Sequence, residues 1–251
     1  MKTVKVRNVV LGEGKPKIII PLVDATRASL ADSARRVLAY PCDLVEWRAD
    51  YYNTKYDPEE TAAAIQTLRN ILGDYPILYT MRTGREGGMS DLTDEEYERT
   101  IVTTIESAHP DLIDVELSRG DDFMKDMVRR AHEKNIAVVA SCHAFKDTPP
   151  RDYLVETMRR MQVLGADIAK YAVMPNSPRD VLELLDATLT MQEKYDDTPL
   201  ITMSMGKPGI ISRLCGEVFG SCMTFGTTGA SSAPGQIPAD QLKHILDILH
   251  T

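Results

Sequence analysis

Lys170 stands inside the apolar stretch "DIAKYAVMP", where a strand of small and aliphatic residues would bury its amine. Lysine is rarely buried without a reason. Burial disfavours the ammonium and should lower its pKa. A neutral amine adds to ketones and aldehydes to give a Schiff base. The plainer alternative is a packed stem with the amine snorkelling to water. His143 closes "IAVVASCHAF" and is the one histidine of five at an expected strand end. An imidazole beside an amine can move protons to and from a substrate; otherwise it is a core histidine bonded to a backbone carbonyl. Glu86, in the loop "MRTGREGGMS", is either an exposed carboxylate or the group that fixes the imidazole tautomer. Arg82 and Arg85 flank that loop. Its glycines could cradle an anion, although no phosphate-loop spacing is met.

A second group suits a polyhydroxylated, anionic ligand. Glu46 and Arg48 in "VEWRAD" lie two apart on a strand, hence on one face. They form either a plain salt-bridged pair or a grip on hydroxyls and a carboxylate. Asp114 and Glu116 repeat that spacing. With Glu46 and His143 they could ligate a divalent metal, as in sugar-isomerase barrels. Arg213 in "MGKPGIISRLCG" could recognise a carboxylate or phosphate bidentately, with a helix N-terminus beside it. Met203 and Met205 end the preceding run. Ser231, Ser232 and Gln236 sit in the small-residue loop "GTTGASSAPGQIP" over 226–238, a candidate mobile lid.

These residues need a scaffold that gathers strand ends. Eight apolar, β-branched runs recur, beginning at Lys17, Asp43, Pro76, Leu112, Ile136, Asp167, Leu200 and Met223. They show little alternation, as expected for strands covered on both faces. Helical stretches with apolar positions three and four apart separate them, from "SLADSARRVLAY" to "PADQLKHILDILH". Strand–helix alternation repeated eight times over 251 residues predicts a parallel (β/α)8 barrel. A doubly wound open sheet is the structural alternative. "TVKVRNVVLGEG" predicts a short N-terminal hairpin closing one end of the barrel. No linker divides the chain, so residues 1–251 are expected to form one catalytic domain. On this fold the selected residues all fall at C-terminal strand ends, where barrels place active sites.

Composition narrows the partners. The net charge is −8, with no basic run, so nucleic acid is not expected. An anionic ligand must then be met by local arginines. The four cysteines form no CxxC pair and read as reduced thiols of a cytoplasmic protein. "MKTVKVRNVV" lacks the apolar core of a signal peptide. No run is long enough to span a bilayer.

Taken in order, "VEWRAD", "TMRTGREGG", "ASCHAF", "DIAKYAVMP", "ITMSMGKPGIISR", "FGSCMTFG" and "SSAPGQI" resemble the type I 3-dehydroquinate dehydratases. The likeness runs from about Val4 to the C-terminus. It implies a (β/α)8 barrel, a homodimer, no metal or organic cofactor, and dehydration of 3-dehydroquinate to 3-dehydroshikimate in the shikimate route. It also implies roles. Lys170 would form the imine, His143 would carry both proton steps, and Glu86 would hold His143. Arg213, Ser232 and Gln236 would hold the carboxylate and its neighbouring hydroxyl. Glu46, Arg48 and Arg82 would hold ring hydroxyls, while Met203, Met205 and Phe225 would wall the ring. Some relatives carry serine where this chain has Pro21, so one peripheral hydroxyl contact is lost here. From the residues alone, a Schiff-base aldolase, a metal-dependent isomerase and a non-catalytic hydroxy-acid binder stay open.

Overall fold

A computed structural model describes residues 2–229 and 232–250. A hairpin comes first, β1 (Val4–Val6) and β2 (Val9–Leu11), antiparallel as expected. Eight parallel strands follow: β3 (Lys17–Leu22), β4 (Leu44–Arg48), β5 (Ile77–Thr80), β6 (Leu112–Glu116), β7 (Ala137–Ala144), β8 (Ile168–Val173), β9 (Leu200–Ser204) and β10 (Met223–Thr227). Each coincides with one of the apolar runs. A two-residue strand, β11 (Ile237–Pro238), extends the edge of β10. The sheet order is β11-β10-β3-β4-β5-β6-β7-β8-β9. It curls until β9 meets β10: Leu200 bridges to Ser221, and Cys222 N–H donates to the Leu200 carbonyl at 2.8 Å. That closure decides for the barrel over the open doubly wound sheet.

Helices α1 (Arg27–Val37), α2 (Pro58–Leu72), α3 (Asp94–Ser107), α4 (Asp121–Glu133), α5 (Arg151–Val163) and α6 (Pro178–Lys194) return the chain between strands. Their starts follow local chemistry. Thr26 and Thr93 form capping boxes, and Asp57 accepts two backbone N–H bonds ahead of Pro58. Short helices α7 (Ile210–Leu214) and α8 (Gly216–Phe219) follow β9, and α9 (Ala239–Leu249) ends the fold.

The period-two alternation of strands sorts the core in two. Ile18, Val45, Trp47, Tyr79, Ile113, Val115, Val138 and Tyr171 face the helices in one cluster. Ile19, Leu44, Leu78, Leu112, Val139, Ile168, Ile201 and Met223 fill the barrel interior in another, joined by Val6, Val9 and Leu11 of the hairpin. The hairpin therefore plugs the end where the strands begin. That interior layer also fixes which later residues point inward. Two positions on from it come Glu46, Thr80, Asp114, Ser141, Lys170, Met203 and Phe225. Two further on come Arg48, Arg82, Glu116, His143, Ala172 and Met205. Polar chemistry thus begins one layer above an apolar floor.

Candidate active site

A cleft opens at the C-terminal mouth of the barrel. Eleven of the twelve residues singled out as the site line it: Glu46, Arg48, Arg82, Glu86, His143, Lys170, Met203, Met205, Phe225, Ser232 and Gln236. Arg213 does not line it, and Ser231 lies outside the described residues. Pro21 pairs in register with Glu46 but is also absent from the lining.

Lys170 is 3% exposed. Its amine is buried among polar groups. Nζ lies 3.1 Å from Asp114 Oδ2 and 3.6 Å from Glu46 Oε1, with the Phe225 ring centroid at 4.9 Å. Asp114 in turn accepts from Ser141 Oγ at 2.6 Å and pairs with Arg82 at 2.7 Å. Burial alone would raise the Asp114 pKa, but the Arg82 and Lys170 charges outweigh it. They hold the carboxyl well below the usual range.

In the β7–β8 ladder Ser141 stands opposite Lys170 and His143 opposite Ala172. The imidazole therefore sits one inward step above the amine. His143 Nδ1 is 2.8 Å from Glu86 Oε2. Burial, reinforced by the Arg82 and Lys170 charges, lowers the His143 pKa well below its ordinary value. The ring is neutral at pH 7. Burial pushes Glu86 up, partly offset by Arg82 and by the hydroxyl of Ser118, which donates at 2.7 Å. With Glu86 ionised, the shared proton rests on Nδ1, and Nε2 is left as a base.

The glycines beside Glu86 pack closely rather than cradle an anion. A Cβ on Gly88 would come within 2.0 Å of the Arg82 carbonyl oxygen. One on Gly87, whose φ is +76°, would meet the Phe145 ring at 2.4 Å. Phe145 itself stacks on His143, with centroids 6.0 Å apart.

Several pairings differ from those expected along the sequence. Arg48 does not spend its guanidinium on Glu46. Nε and Nη2 both donate to the Asp50 carboxylate at 2.8 Å. Asp50 also accepts from Met89 N–H at 3.0 Å, which ties the glycine loop to the end of β4. Glu46 accepts from Thr80 Oγ1 at 2.9 Å. Glu116 turns away to Arg82, to the Thr83 backbone and hydroxyl, and to Arg119. Glu46, Asp114, Glu116 and His143 therefore do not assemble as metal ligands. Among the described residues no group of three or more His, Cys, Asp or Glu side chains is placed to hold a metal ion. Asp50, Ser141, Thr80 and Phe145 carried no assigned role in the sequence reading. Ser141 and Thr80 were legible in principle, since each lies two residues before a chosen residue in the same apolar run, "IAVVASCH" or "PILYTMR".

Arg213 is 2% exposed and lies in the last turn of five-residue α7, too short for an N-terminal anion site of its own. Nη2 donates to the Pro234 carbonyl at 3.0 Å, tethering the loop after β10. Nε has no hydrogen-bond partner, and no described carboxylate pairs with the guanidinium. Burial without a counter-charge pulls its pKa down to about 10, so it remains a cation at neutral pH. Ser232 and Gln236 bond each other: Gln236 Nε2 donates to Ser232 Oγ at 3.0 Å, and Ser232 N–H donates to Gln236 Oε1 at 3.1 Å. The cysteines are free, and burial pushes Cys42 and Cys222 up to about 12. Among the described residues no helix is long and apolar enough to cross a membrane.

A lysine amine and a neutral, carboxylate-oriented imidazole at the mouth of a (β/α)8 barrel define a class of barrel lyase that works on carbonyl compounds. The family model for type I 3-dehydroquinase matches residues 18–251. The chain belongs to that family. It is 46% identical over 249 residues to 3-dehydroquinate dehydratase of Bacillus licheniformis, covering 99% of this chain and 98% of that one. It is 47% identical over 250 residues to the Salmonella agona enzyme, covering 100% and 99%. Among solved structures, the Geobacillus kaustophilus 3-dehydroquinate dehydratase superposes with a TM-score of 0.95 at 43% identity, covering 99% of this chain and 96% of that one. The Clostridium difficile type I enzyme, solved with covalent modified comenic acid, also gives 0.95, at 40% identity and 99% and 98% coverage.

Proposed function

We propose that this chain is a hydro-lyase that converts 3-dehydroquinate to 3-dehydroshikimate through an imine on Lys170. The observation that carries the residue assignment is the buried Lys170 amine one strand-step from His143, whose ring is neutral and fixed by Glu86. Lys170 Nζ adds to the ring ketone; the C–N bond forms and the carbonyl oxygen departs as water. The resulting iminium is a stronger electron sink than the ketone. His143 Nε2 then takes the α proton, and that C–H pair shifts to leave a neutral enamine. The enamine expels the β hydroxyl as His143 returns the proton, releasing water and re-forming a conjugated iminium. Addition of water and loss of the amine deliver the ketone product. One imidazole serves both proton steps only when both groups leave the same ring face, so the elimination is syn.

Substrate holding is divided by charge. Arg213, a buried cation with an unpartnered Nε, suits the substrate carboxylate. Ser232 and Gln236 lie beside it through the loop that Pro234 anchors. Arg48, Arg82 and Glu46 suit the ring hydroxyls. Met203, Met205 and Phe225 give the ring apolar walls. We further read residues 1–251 as one catalytic domain of a cytoplasmic homodimer, on the strength of the family resemblance.

Borohydride is the direct test. Reduction of enzyme mixed with 3-dehydroquinate should leave a stable adduct that peptide mass spectrometry maps to Lys170 and that Lys170→Ala lacks. Turnover without any adduct would rule out the imine.

A further inference from the structure

The imine route has a charge problem that the proposed roles leave open. Its iminium is a cation formed below the mouth of the barrel, where Lys170 is almost fully buried. A buried charge needs a partner in contact. His143 is neutral, and Glu86 is committed to it. Arg48 and Arg82 are themselves cations. Among the described groups around Nζ, the carboxylates in reach are Asp114 at 3.1 Å and Glu46 at 3.6 Å.

Resting on the imine reading, we propose that Asp114 is the resident counter-ion of the imine nitrogen. It keeps that nitrogen protonated until the α proton has been taken. Three observations favour it over Glu46. Asp114 Oδ2 makes the hydrogen bond to Nζ. Asp114 is 1% exposed and anchored from two further directions, by Ser141 Oγ and by Arg82. Those same contacts keep it ionised, so it is an acceptor only. The groups facing it are Lys170 from β8, Ser141 and His143 from β7, Arg82 beyond β5, Glu46 from β4 and Glu116 further along its own strand.

The role is electrostatic and belongs to one stage. A proton on nitrogen lets the electron pair of the broken C–H bond end there as an enamine lone pair. Without that proton, the same step would leave a buried anion. Carboxylate and iminium form a neutral pair, and the pair discharges when the enamine forms. It is restored when the hydroxyl leaves.

Asp114→Asn and Asp114→Glu, assayed across the neutral to alkaline range, test this. Asp114→Asn should lower kcat by about a hundred-fold, the scale of losing one preorganised charge contact. The alkaline arm of its kcat–pH profile should also move down by about one unit or more, because the imine then loses its proton earlier. Asp114→Glu should return the arm toward its wild-type position even where kcat stays low. An equal fractional loss at every pH, with the arm unmoved, means a merely structural role and overturns the proposal.

Removing a buried carboxylate beside Arg82 can prevent folding, so a second measurement uses the unaltered protein. In enzyme carrying 15N-lysine and given 3-dehydroquinate, the 15N shift reports the protonation of the imine. That imine should stay protonated to a pH at least about one unit above the imine of the same ketone with n-butylamine in water. No difference overturns the proposal. Absence of the Lys170 borohydride adduct in the unaltered protein would instead overturn the imine reading, and this inference with it.

Discussion

At the residue scale, the proposed mechanism divides the work between His143 and Lys170, so their substitutions should fail differently. His143→Ala removes general acid–base help, which is worth roughly a hundred- to ten-thousand-fold. Its kcat should fall by that much, while borohydride still traps substrate on Lys170. An adduct lost together with turnover would instead put His143 in imine formation alone. The pH profile carries a second signature. Burial, with Arg82 and Lys170 nearby, holds the His143 pKa well below its ordinary 6.5. The base is thus present at neutral pH and is lost only as pH falls through that lowered value. The acid arm of kcat/KM should lie clearly below pH 6.5, and an arm at or above 6.5 counts against this electrostatic account. The same depression has a stability sign. Below pH 6.5 the unfolded chain binds the His143 proton first, so wild type should lose stability relative to His143→Ala as pH falls. Urea midpoints at several pH values would read this.

At the element scale, the loop after β5 and the N-terminal hairpin set the shape of the site from opposite sides. The loop carries Glu86, and it turns back so tightly that a Cβ on Gly88 would strike the Arg82 carbonyl. Gly88→Ala should cost about 1–3 kcal/mol in chemical denaturation. It should also cost activity beyond what that destabilisation explains, because both Arg82 and Glu86 must shift. Full activity in this variant would mean that the loop relaxes without moving Glu86. The hairpin acts from beneath. Leu11 is fully buried against the interior layer that supports Glu46, Asp114 and Lys170. Leu11→Ala should destabilise by about 2–5 kcal/mol, with the Lys170 adduct still formed in the folded fraction.

At the scale of the whole molecule, the barrel uses an acidic chain to bind an acid. The net charge of −8 would repel a carboxylate at long range. In the proposed site, buried Arg48, Arg82 and Arg213 offset this, and Arg213 is the one of the three without a described carboxylate. Arg213→Ala should therefore weaken substrate binding more than Arg48→Ala, in which the companion carboxylate of Asp50 loses its own partner. The proposed homodimer predicts a solution mass of twice the 27.9 kDa chain by light scattering. A 27.9 kDa species at working concentration would remove it.

The sequence by itself determined the ring of eight strands and the inward-facing residues. Both follow from local rules: apolar runs bounded by helix caps, and side chains alternating every two residues. The placement of Lys170 and His143 at the barrel mouth was legible because residue type and strand position are properties of a short segment. The partners of those residues were decided only by the tertiary structure. Arg48 chose Asp50 over Glu46, Lys170 met Asp114 from 56 residues away, and Thr80 reached Glu46 across 34. Such pairings depend on the register between neighbouring strands and on the curl that closes β9 onto β10. Register is fixed by packing summed over the whole barrel, so no stretch of sequence displays it.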